Sequence, residues 1–326
     1  MQMGRWMLMG MMVLLVVGCG SPDAGPTPVV SATSAPRTAT LVPTPTVPPT
    51  PAMSTAAPTP TRPVPTIVPT EPLGDSAVTG RRTTVRGRTI RIRVLYDNNP
   101  GDDERLRTAW GFSCLVEGLD KTILFDTGGD SATLLHNMRV LGVDPQDIEV
   151  VVVSHVHGDH VGGLSGLLAE NDAVTVYLPQ SFPADTKAAV EKAGAELVEV
   201  DGPVEICDYV RSTGELGDWI KEQALVVEAG EGLVVITGCA HPGIVGIVRR
   251  AKELIGKDVH LVLGGFHLGG MGAAEVEYIV EAFHRSGVQR VAPCHCSGDL
   301  ARRLFEESYG DDFVLAGVGT TMELQD

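Results

Sequence analysis

The chain is poor in basic residues, and this shortage limits the partners it can bind. Its 326 residues include 25 lysines and arginines against 41 aspartates and glutamates, which gives a net charge of −16. A nucleic-acid surface needs a stripe of Lys and Arg to neutralise phosphates. The composition therefore argues against a nucleic-acid partner and disfavours a nuclease.

Cysteine is also scarce, and its count excludes a complete disulfide framework. One of the six cysteines, Cys19, lies near the N-terminus, which leaves an odd five for the rest of the chain. An odd number outside the cytoplasm argues against full pairing. Cys294 and Cys296 lie too close along an extended segment to bridge each other comfortably. Cys114 and Cys207 fall on predicted strands and are expected to be small core residues.

The apolar run at the N-terminus is too short to span a membrane. It extends from Met7 to Val17 after Arg5, which is typical of a secretory signal. The small residues before Cys19 resemble a bacterial lipobox, which implies cleavage before that cysteine and its lipidation. Residues 1–18 are therefore predicted to be a lipoprotein signal peptide, and the protein an extracytoplasmic one that a lipid anchors to the cell membrane. An ordinary signal peptide with a chance cysteine is the alternative.

Residues 19–84 have little charge and are rich in Pro, Thr, Ala, Ser and Val. Such a segment cannot bury enough apolar surface to offset its chain entropy. It is predicted to be a disordered stalk that its prolines make semi-rigid. Residues 85–326 are long enough for one domain with a substantial core.

The residues that organise this domain are a cluster of three histidines and one aspartate. A buried strand, Val150–Val153, is predicted to lead into it. Alternate residues of an extended chain share a direction, so His155 and His157 can reach one metal. Asp159 and His160 follow at the start of the next predicted helix and can hold a second metal. Imidazole and carboxylate ligands suit zinc, manganese or iron and do not suit calcium.

Two further histidines repeat the arrangement of a strand, a ligand and a helix. His241 follows a strand and opens a helix, and so does His295. Both are predicted metal ligands. The predicted centre holds two divalent metal ions, with zinc favoured and manganese or iron as alternatives. The predicted ligands are His155, His157, Asp159, His160, His241 and His295.

Several motifs give the chain a family resemblance. The His155–His160 cluster and Phe125–Gly128 resemble motifs of the metallo-β-lactamase superfamily. Further motifs are similar to the branch named after 7,8-dihydropterin-6-methyl-4-(β-D-ribofuranosyl)aminobenzene-5'-phosphate synthase; they are Trp110–Ser113, Thr237–Gly243, Gly264–Leu268 and Pro293–Gly298. The resemblance runs from about Ile90 to the C-terminus.

The predicted elements alternate between strands and helices in two comparable halves. Glu205–Arg211 is predicted to be one strand of the second half. This pattern suggests an α/β fold with two facing sheets and helices outside. The resemblance implies the same four-layer αββα sandwich, with the metals at one edge between the halves.

The resemblance also assigns roles and exposes a departure. It implies that Asp126 orients a ligand histidine from behind, although an aspartate there could simply form a turn. The superfamily pattern expects another histidine before the strand that ends near Cys239, but residues 212–216 contain none. We expect His241 to supply the missing ligand. Cys239 stands where the pattern usually has a metal-bridging aspartate, and it is either a thiolate ligand or a small buried residue.

Four histidines remain. A functional role is favoured for one of them, and structural or solvated positions are expected for the other three. His267 could be a metal ligand, a proton donor to a leaving group or a packed histidine, and a catalytic, substrate-facing role is favoured because glycines surround it. His260 and His284 lie within a strand and a helix and are expected to be structural. His136 falls off its helix's apolar stripe and is expected to be solvated.

The implied chemistry is attack by a metal-bound hydroxide on a carbonyl or phosphorus centre. Asp159 is positioned to hold or accept the proton. This predicts a hydrolase of a small-molecule ester, lactam or phosphoester. An oxygen-reducing diiron flavoprotein is disfavoured because that branch has Glu where this chain has His157. A pterin-type transferase is one alternative, and a non-catalytic metal or ligand sensor is another.

Overall fold

A computed structural model describes residues 87–325. The predicted signal peptide, the lipidation of Cys19 and the whole predicted stalk lie outside these residues. Within the described part of the chain, no helix combines the length and apolar character needed to cross a membrane.

Two β-sheets form the centre of the fold. The strands of the first sheet are β1 (Thr89–Tyr96), β2 (Ser113–Glu117), β3 (Ile123–Phe125), β4 (Val150–Val152), β5 (Thr175–Pro179), β6 (Glu196–Val200) and β13 (Thr321–Gln325). Those of the second are β7 (Val204–Cys207), β8 (Val210–Ser212), β9 (Leu225–Ala229), β10 (Gly232–Thr237), β11 (Val259–Gly265) and β12 (Arg290–Cys294). The strand orders are β13-β1-β2-β3-β4-β5-β6 and β12-β11-β10-β9-β8-β7.

Helices cover the outer face of each sheet. Those against the first sheet are α1 (Ser131–Val140), α2 (Gly158–Val161), α3 (Leu164–Glu170) and α4 (Ala184–Ala193). Those against the second sheet are α5 (Ile244–Ile255), α6 (Ala273–Arg285) and α7 (Asp299–Tyr309). Short 3₁₀ helices lie at Pro145–Asp147, His295–Ser297 and Gly310–Asp312.

Each sheet is apolar on both faces, because it packs against the other sheet and against its own helices. In β10, Val234 and Ile236 contribute to the core between the sheets. The alternate residues Leu233 and Val235 instead pack with the helices of the second half. This alternation with period two produces three apolar layers between four layers of structure. The predicted αββα sandwich is confirmed.

One predicted element was wrong in detail. The single strand expected at Glu205–Arg211 is a hairpin, in which β7 pairs antiparallel with β8. The chain reverses at Tyr209, which adopts a left-handed conformation with φ of 70°. Apolar residues on both sides of a tight turn give the same periodic pattern as one continuous strand, so the sequence did not indicate the reversal.

The parallel strands bring the predicted site residues to one edge. β3 and β4 are parallel neighbours in the first sheet, as are β10, β11 and β12 in the second. The segments that leave their carboxyl ends carry Asp126, the His155–His160 cluster, Cys239 with His241, His267, and His295. Ligands gather outside the carboxyl ends of strands in many α/β folds.

Candidate metal centre

The first group of ligand atoms consists of three imidazoles. The ligand atoms of His155, His157 and His241 all lie within 4.8 Å of one another. His155 Nε2 is 3.1 Å from His157 Nδ1. The ring of His241 has its centroid 4.8 Å from that of His155 and 4.9 Å from that of His157. Three nitrogens at this spacing can converge on one zinc ion.

A second group with mixed ligand atoms lies beside the first. Asp159, His160, Cys239 and His295 also have ligand atoms within 4.8 Å of one another. Cys239 Sγ is 3.2 Å from His160 Nε2. Asp159 Oδ2 is 3.3 Å from His295 Nε2 and 3.7 Å from His160 Nε2. The rings of His155 and His160, one from each group, have centroids 4.2 Å apart.

Asp126 lies behind both groups and fixes the orientation of two rings. It is fully buried in a left-handed conformation with φ of 56°. His160 Nδ1 donates to its Oδ2 at 2.7 Å, which leaves Nε2 of that ring free as a metal ligand. The Ser154 hydroxyl also donates to Oδ2 at 2.7 Å, and the Ser154 amide donates to Oδ1 at 2.6 Å.

The same network sets the protonation of His155. Its Nδ1 lies 2.9 Å from Ser154 Oγ. Because the single hydroxyl proton goes to Asp126, Nδ1 of His155 must carry a proton and donate it to Ser154. Its Nε2 then keeps a free lone pair on the side of His157. The rings of His155 and His160 therefore both present Nε2 to the two groups of ligand atoms.

His295 is held in place by the loop after β1. Its amide donates to Asp97 Oδ2 at 3.1 Å, and its Nδ1 donates to Asn98 Oδ1 at 3.0 Å. Burial raises the pKa of the Asp97 carboxyl, while the two hydrogen bonds that it accepts from Asn99 act to lower that pKa. The indole of Trp110 lies against the ring, with centroids 4.9 Å apart. Nε2 of His295 is thus directed at Asp159.

Glu222 shapes the turn that carries Cys239 and His241. This role was not predicted from the sequence. This carboxylate is fully buried. Its Oε1 accepts from the amides of Cys239 and Ala240 at 2.9 and 2.8 Å, and its Oε2 accepts from the His241 amide at 2.9 Å. Three consecutive amides therefore converge on one side chain, which supports the left-handed conformation of Ala240. No spacing or neighbouring motif marks Glu222 in the sequence.

The electrostatics favour neutral imidazoles at His155 and His241. Burial, followed by the neighbouring histidines, lowers the pKa of His155 far below its ordinary value. Burial and His267 lower the pKa of His241 to about 4. Burial opposes ionisation of Asp159, but the hydrogen bond with His295 and the His160 ring outweigh it and hold its pKa well below the ordinary value. Metal ligation requires these states, a neutral imidazole and an ionised carboxylate.

The chain is similar in sequence and in structure to known proteins. A profile of the Metallo-beta-lactamase superfamily matches residues 111–253. The crystal structure of Tm1679, a metal-dependent hydrolase of the beta-lactamase superfamily, is 31% identical to this chain, with a TM-score of 0.62. The match covers 73% of this chain and 100% of that one. The chain belongs to the metallo-β-lactamase superfamily.

Two other relatives match different extents of the chain. The 7,8-dihydropterin-6-methyl-4-(beta-D-ribofuranosyl)-aminobenzene-5'-phosphate synthase of Methanocaldococcus jannaschii is 28% identical in an alignment of 273 positions, and the match covers 69% of this chain and 93% of the synthase. The ribonuclease Z of Salinibacter ruber is 32% identical over 120 residues, 35% of each chain. The similarity to the synthase therefore extends through both halves of the fold, and that to the ribonuclease covers about a third of it.

The turn after β10 carries the histidine that we expect to replace the missing one. His241 lies two residues beyond Cys239 on the same turn, and its ring joins His155 and His157 as the sequence predicted. Cys239 has its sulfur beside the other group, next to His160. Gly238 allows the start of this turn to lie close to Ser154, because a Cβ at residue 238 would lie 2.1 Å from Ser154 Oγ. The ligand assignments themselves stay predictions.

A third cluster borders the centre. Ligand atoms of Cys239, His267 and Cys296 lie within 4.8 Å of one another. His267 is exposed, has a left-handed φ of 56°, and has its ring centroid 4.3 Å from that of His241. The hydrogen bond with Cys296 raises the pKa of His267. The two cysteines share a hydrogen bond that lowers the pKa of the Cys296 thiol and raises that of Cys239.

The other described histidines lie away from these groups. His136 Nε2 lies 2.9 Å from the Arg105 carbonyl. His260 and His284 pair with Gln289 and Ser308. These partners agree with structural positions for His260 and His284. His136 is half-buried, and its contact with the Arg105 carbonyl lies at an exposed position.

A cavity of about 220 Å³ adjoins the centre at His241 and His267. The rest of its lining comes from the first turns of α5, from Phe266 and Leu268 after β11, and from α6. Met271 stands half-exposed among these residues. The candidate centre thus opens directly onto an apolar recess in the second half of the fold.

Proposed function

We propose that the domain is a dinuclear metal-dependent hydrolase of a small-molecule ester, lactam or phosphoester, anchored outside the cytoplasm by a lipid on Cys19. The observation that supports it best is the pair of ligand groups side by side, with the free nitrogens of His155 and His160 set by one buried carboxylate. The anchor rests on the N-terminal sequence alone.

The residues present fit two zinc ions. Nε2 of His241 is buried and has no hydrogen-bond partner among the described residues. Burying an unpaired polar atom is costly, and a cation beside this nitrogen would remove that cost. Three imidazoles in one group, and two imidazoles, a carboxylate and a thiol in the other, are ligands typical of zinc. The thiol makes manganese a poorer match.

The chain's own residues would divide the reaction between them. When bound, the two cations supply an activated water and polarise the substrate's oxygen. Asp159 is ionised because of its low pKa, and its partly exposed carboxylate can accept a hydrogen bond from a water and hold it in place. His267 is exposed beside the first group, and its raised pKa favours the protonated ring that can give a proton to a leaving group.

A transferase is the second candidate, and the relative from M. jannaschii favours it. That protein is a synthase by name, and it matches this chain over 93% of its own length. The same two cations could stabilise a pyrophosphate leaving group. The pterin intermediates that such a synthase would use are cytoplasmic. The predicted export of this chain therefore argues against that role. The ribonuclease similarity supports the fold and metals, while the net charge of −16 disfavours an RNA substrate.

Zinc-dependent hydrolysis tests the proposal. The purified full chain is stripped of metal, reloaded with zinc, and assayed on phosphodiesters, lactones and β-lactams. We expect turnover of at least one class that depends on zinc, is lost in His160→Ala and is kept in the control His284→Ala. Two bound zinc ions without turnover of any substrate would instead support the sensor, and condensation of a pterin pyrophosphate with the aminobenzene ribosyl phosphate would support the transferase.

A further inference from the structure

The cavity beside His241 has a polar end and an apolar end. His241 and His267 form the polar end, and their ring centroids lie 4.3 Å apart. Phe266 and Leu268 are buried beneath it, and Ile244 and Ile279 contribute further lining. None of the described residues that line it is Asp, Glu, Lys or Arg. Apart from the two imidazoles at the polar end, such a lining offers no side chain that could pair with a phosphate or a charged ring.

The position of the cavity links it to the reaction proposed above. His241 belongs to the three-imidazole group, so a substrate bound there would place its reacting centre at the mouth of the cavity. His267 stands at the same mouth and is exposed. A group attached next to the reacting bond could therefore extend past both rings into the recess. About 220 Å³ is room for a short alkyl chain or a single aromatic ring.

We propose that this cavity is the subsite for an uncharged apolar group of the substrate, such as an acyl chain or phenyl ring attached at the reacting centre. The proposal rests on the metal-dependent reaction proposed above. It predicts a substrate with an apolar arm beside its ester, lactam or phosphoester group. It also predicts that charged or strongly hydrated arms bind poorly on this side of the centre, because the lining cannot replace their water.

Binding of hydroxamates to the zinc-loaded full chain tests this subsite without any knowledge of the substrate. A hydroxamate attaches to the zinc, and its tail is varied from methyl to butyl to phenyl. Each methylene buried in an apolar site tightens binding about fourfold. We therefore expect acetohydroxamate to bind about tenfold or more weakly than the butyl and phenyl compounds. A tail that ends in a carboxylate should give no gain over methyl.

A filled cavity provides the matched variant. A Cβ added at Gly246, which lines the cavity on α5, would meet no heavy atom of the described residues within 4 Å, so the side chain of Gly246→Leu starts in open space. Leu is also a better helix former than Gly, which protects the fold. The variant should keep its zinc and its affinity for acetohydroxamate but lose most of the preference for longer tails. Gly202→Leu, at an equally open glycine outside the cavity, should keep that preference.

The outcomes separate this inference from the reaction it rests on. Equal affinity for all tails, or an unchanged preference in Gly246→Leu, would overturn the subsite and leave the metal centre standing. No zinc in the protein, or no binding of any hydroxamate, would overturn both.

Discussion

His155 and His160 present Nε2 to the two ligand groups only while each ring keeps its proton on Nδ1. Asp126 controls both protons, directly for His160 and through the Ser154 hydroxyl for His155. A single buried carboxylate thus prepares one ligand of each group. The resemblance implied one such contact for Asp126, and the structure shows that it reaches two rings.

Asp126→Asn tests this control at the residue scale. An amide nitrogen in place of one carboxylate oxygen would face a donor, either the Ser154 amide or the His160 ring. Zinc affinity should fall about 10- to 100-fold, which is typical for loss of a group that orients a metal ligand. Competition with a chromogenic chelator measures this change, and Asp172→Asn at an exposed position serves as the control. Unchanged affinity would show that Asp126 only stabilises the turn.

His241 and Cys239 provide a second residue-scale prediction. His241 is one of three ligands in its group, whereas Cys239 is one of four. His241→Ala should therefore reduce bound zinc from two ions to about one per chain and abolish turnover. Cys239→Ser should do less, because three other ligands remain. Zinc measured by mass spectrometry decides it, and full occupancy in His241→Ala would refute the assignment.

The sequence indicated most of these residues, and the resemblance indicated Asp126, but Glu222 was missed. His155, His157, Asp159 and His160 share one short motif, so spacing alone placed them together. Glu222 lies outside any motif, and its role depends on a turn whose backbone could not be foreseen.

At the scale of elements, the centre depends on turns that follow strands. The ends of strands can be predicted from apolar runs. The backbone conformation of the residues that follow them cannot. Ala240, His267 and His295 all adopt left-handed backbone conformations, with φ of 61°, 56° and 49°. Residues other than glycine adopt this region at some cost, so surrounding contacts must hold them there. Such contacts come from the whole fold and leave no local signature.

Glu222→Gln tests one of these turns. The side-chain amide would place a donor against at least one backbone amide of residues 239–241 and would lose the charge that strengthens all three bonds. The free energy of unfolding should fall by about 2 kcal/mol. Zinc binding by the three-imidazole group should weaken as His241 loses its support. Urea unfolding measures the first effect, with Glu253→Gln on the exposed face of α5 as control. Equal stability of the two variants would contradict this role.

At the scale of the whole molecule, the described domain shows an αββα sandwich that the sequence predicted well. Apolar residues on both faces of the central strands could be read directly, and the resemblance supplied the arrangement of the layers. The hairpin of β7 and β8 was not predicted, because its two strands share one continuous pattern. The acidic composition applies to the whole chain and argues against a nucleic-acid substrate.

The anchor is a whole-molecule prediction that the described residues do not reach. If Cys19 carries lipid, wild-type protein should fractionate with membranes and require detergent for release. Cys19→Ser should shift the protein to a soluble or uncleaved form. Cys207→Ser, a change of the same type in the described domain, is the control. Unchanged, detergent-dependent fractionation of the mature Cys19→Ser protein would refute lipid anchoring.

We expect the two ligand groups to hold two metal ions, both of which hydrolysis requires. Metal analysis of the purified full chain after zinc loading and desalting tests this expectation, with the double variant His157→Ala, Asp159→Ala alongside, because each substitution removes one predicted ligand from a different group. Wild-type protein should retain about two zinc ions per chain. The double variant should show a clear loss of zinc and keep its circular dichroism spectrum. Full occupancy in the double variant, or a wild-type chain that retains no zinc, would refute the dinuclear centre.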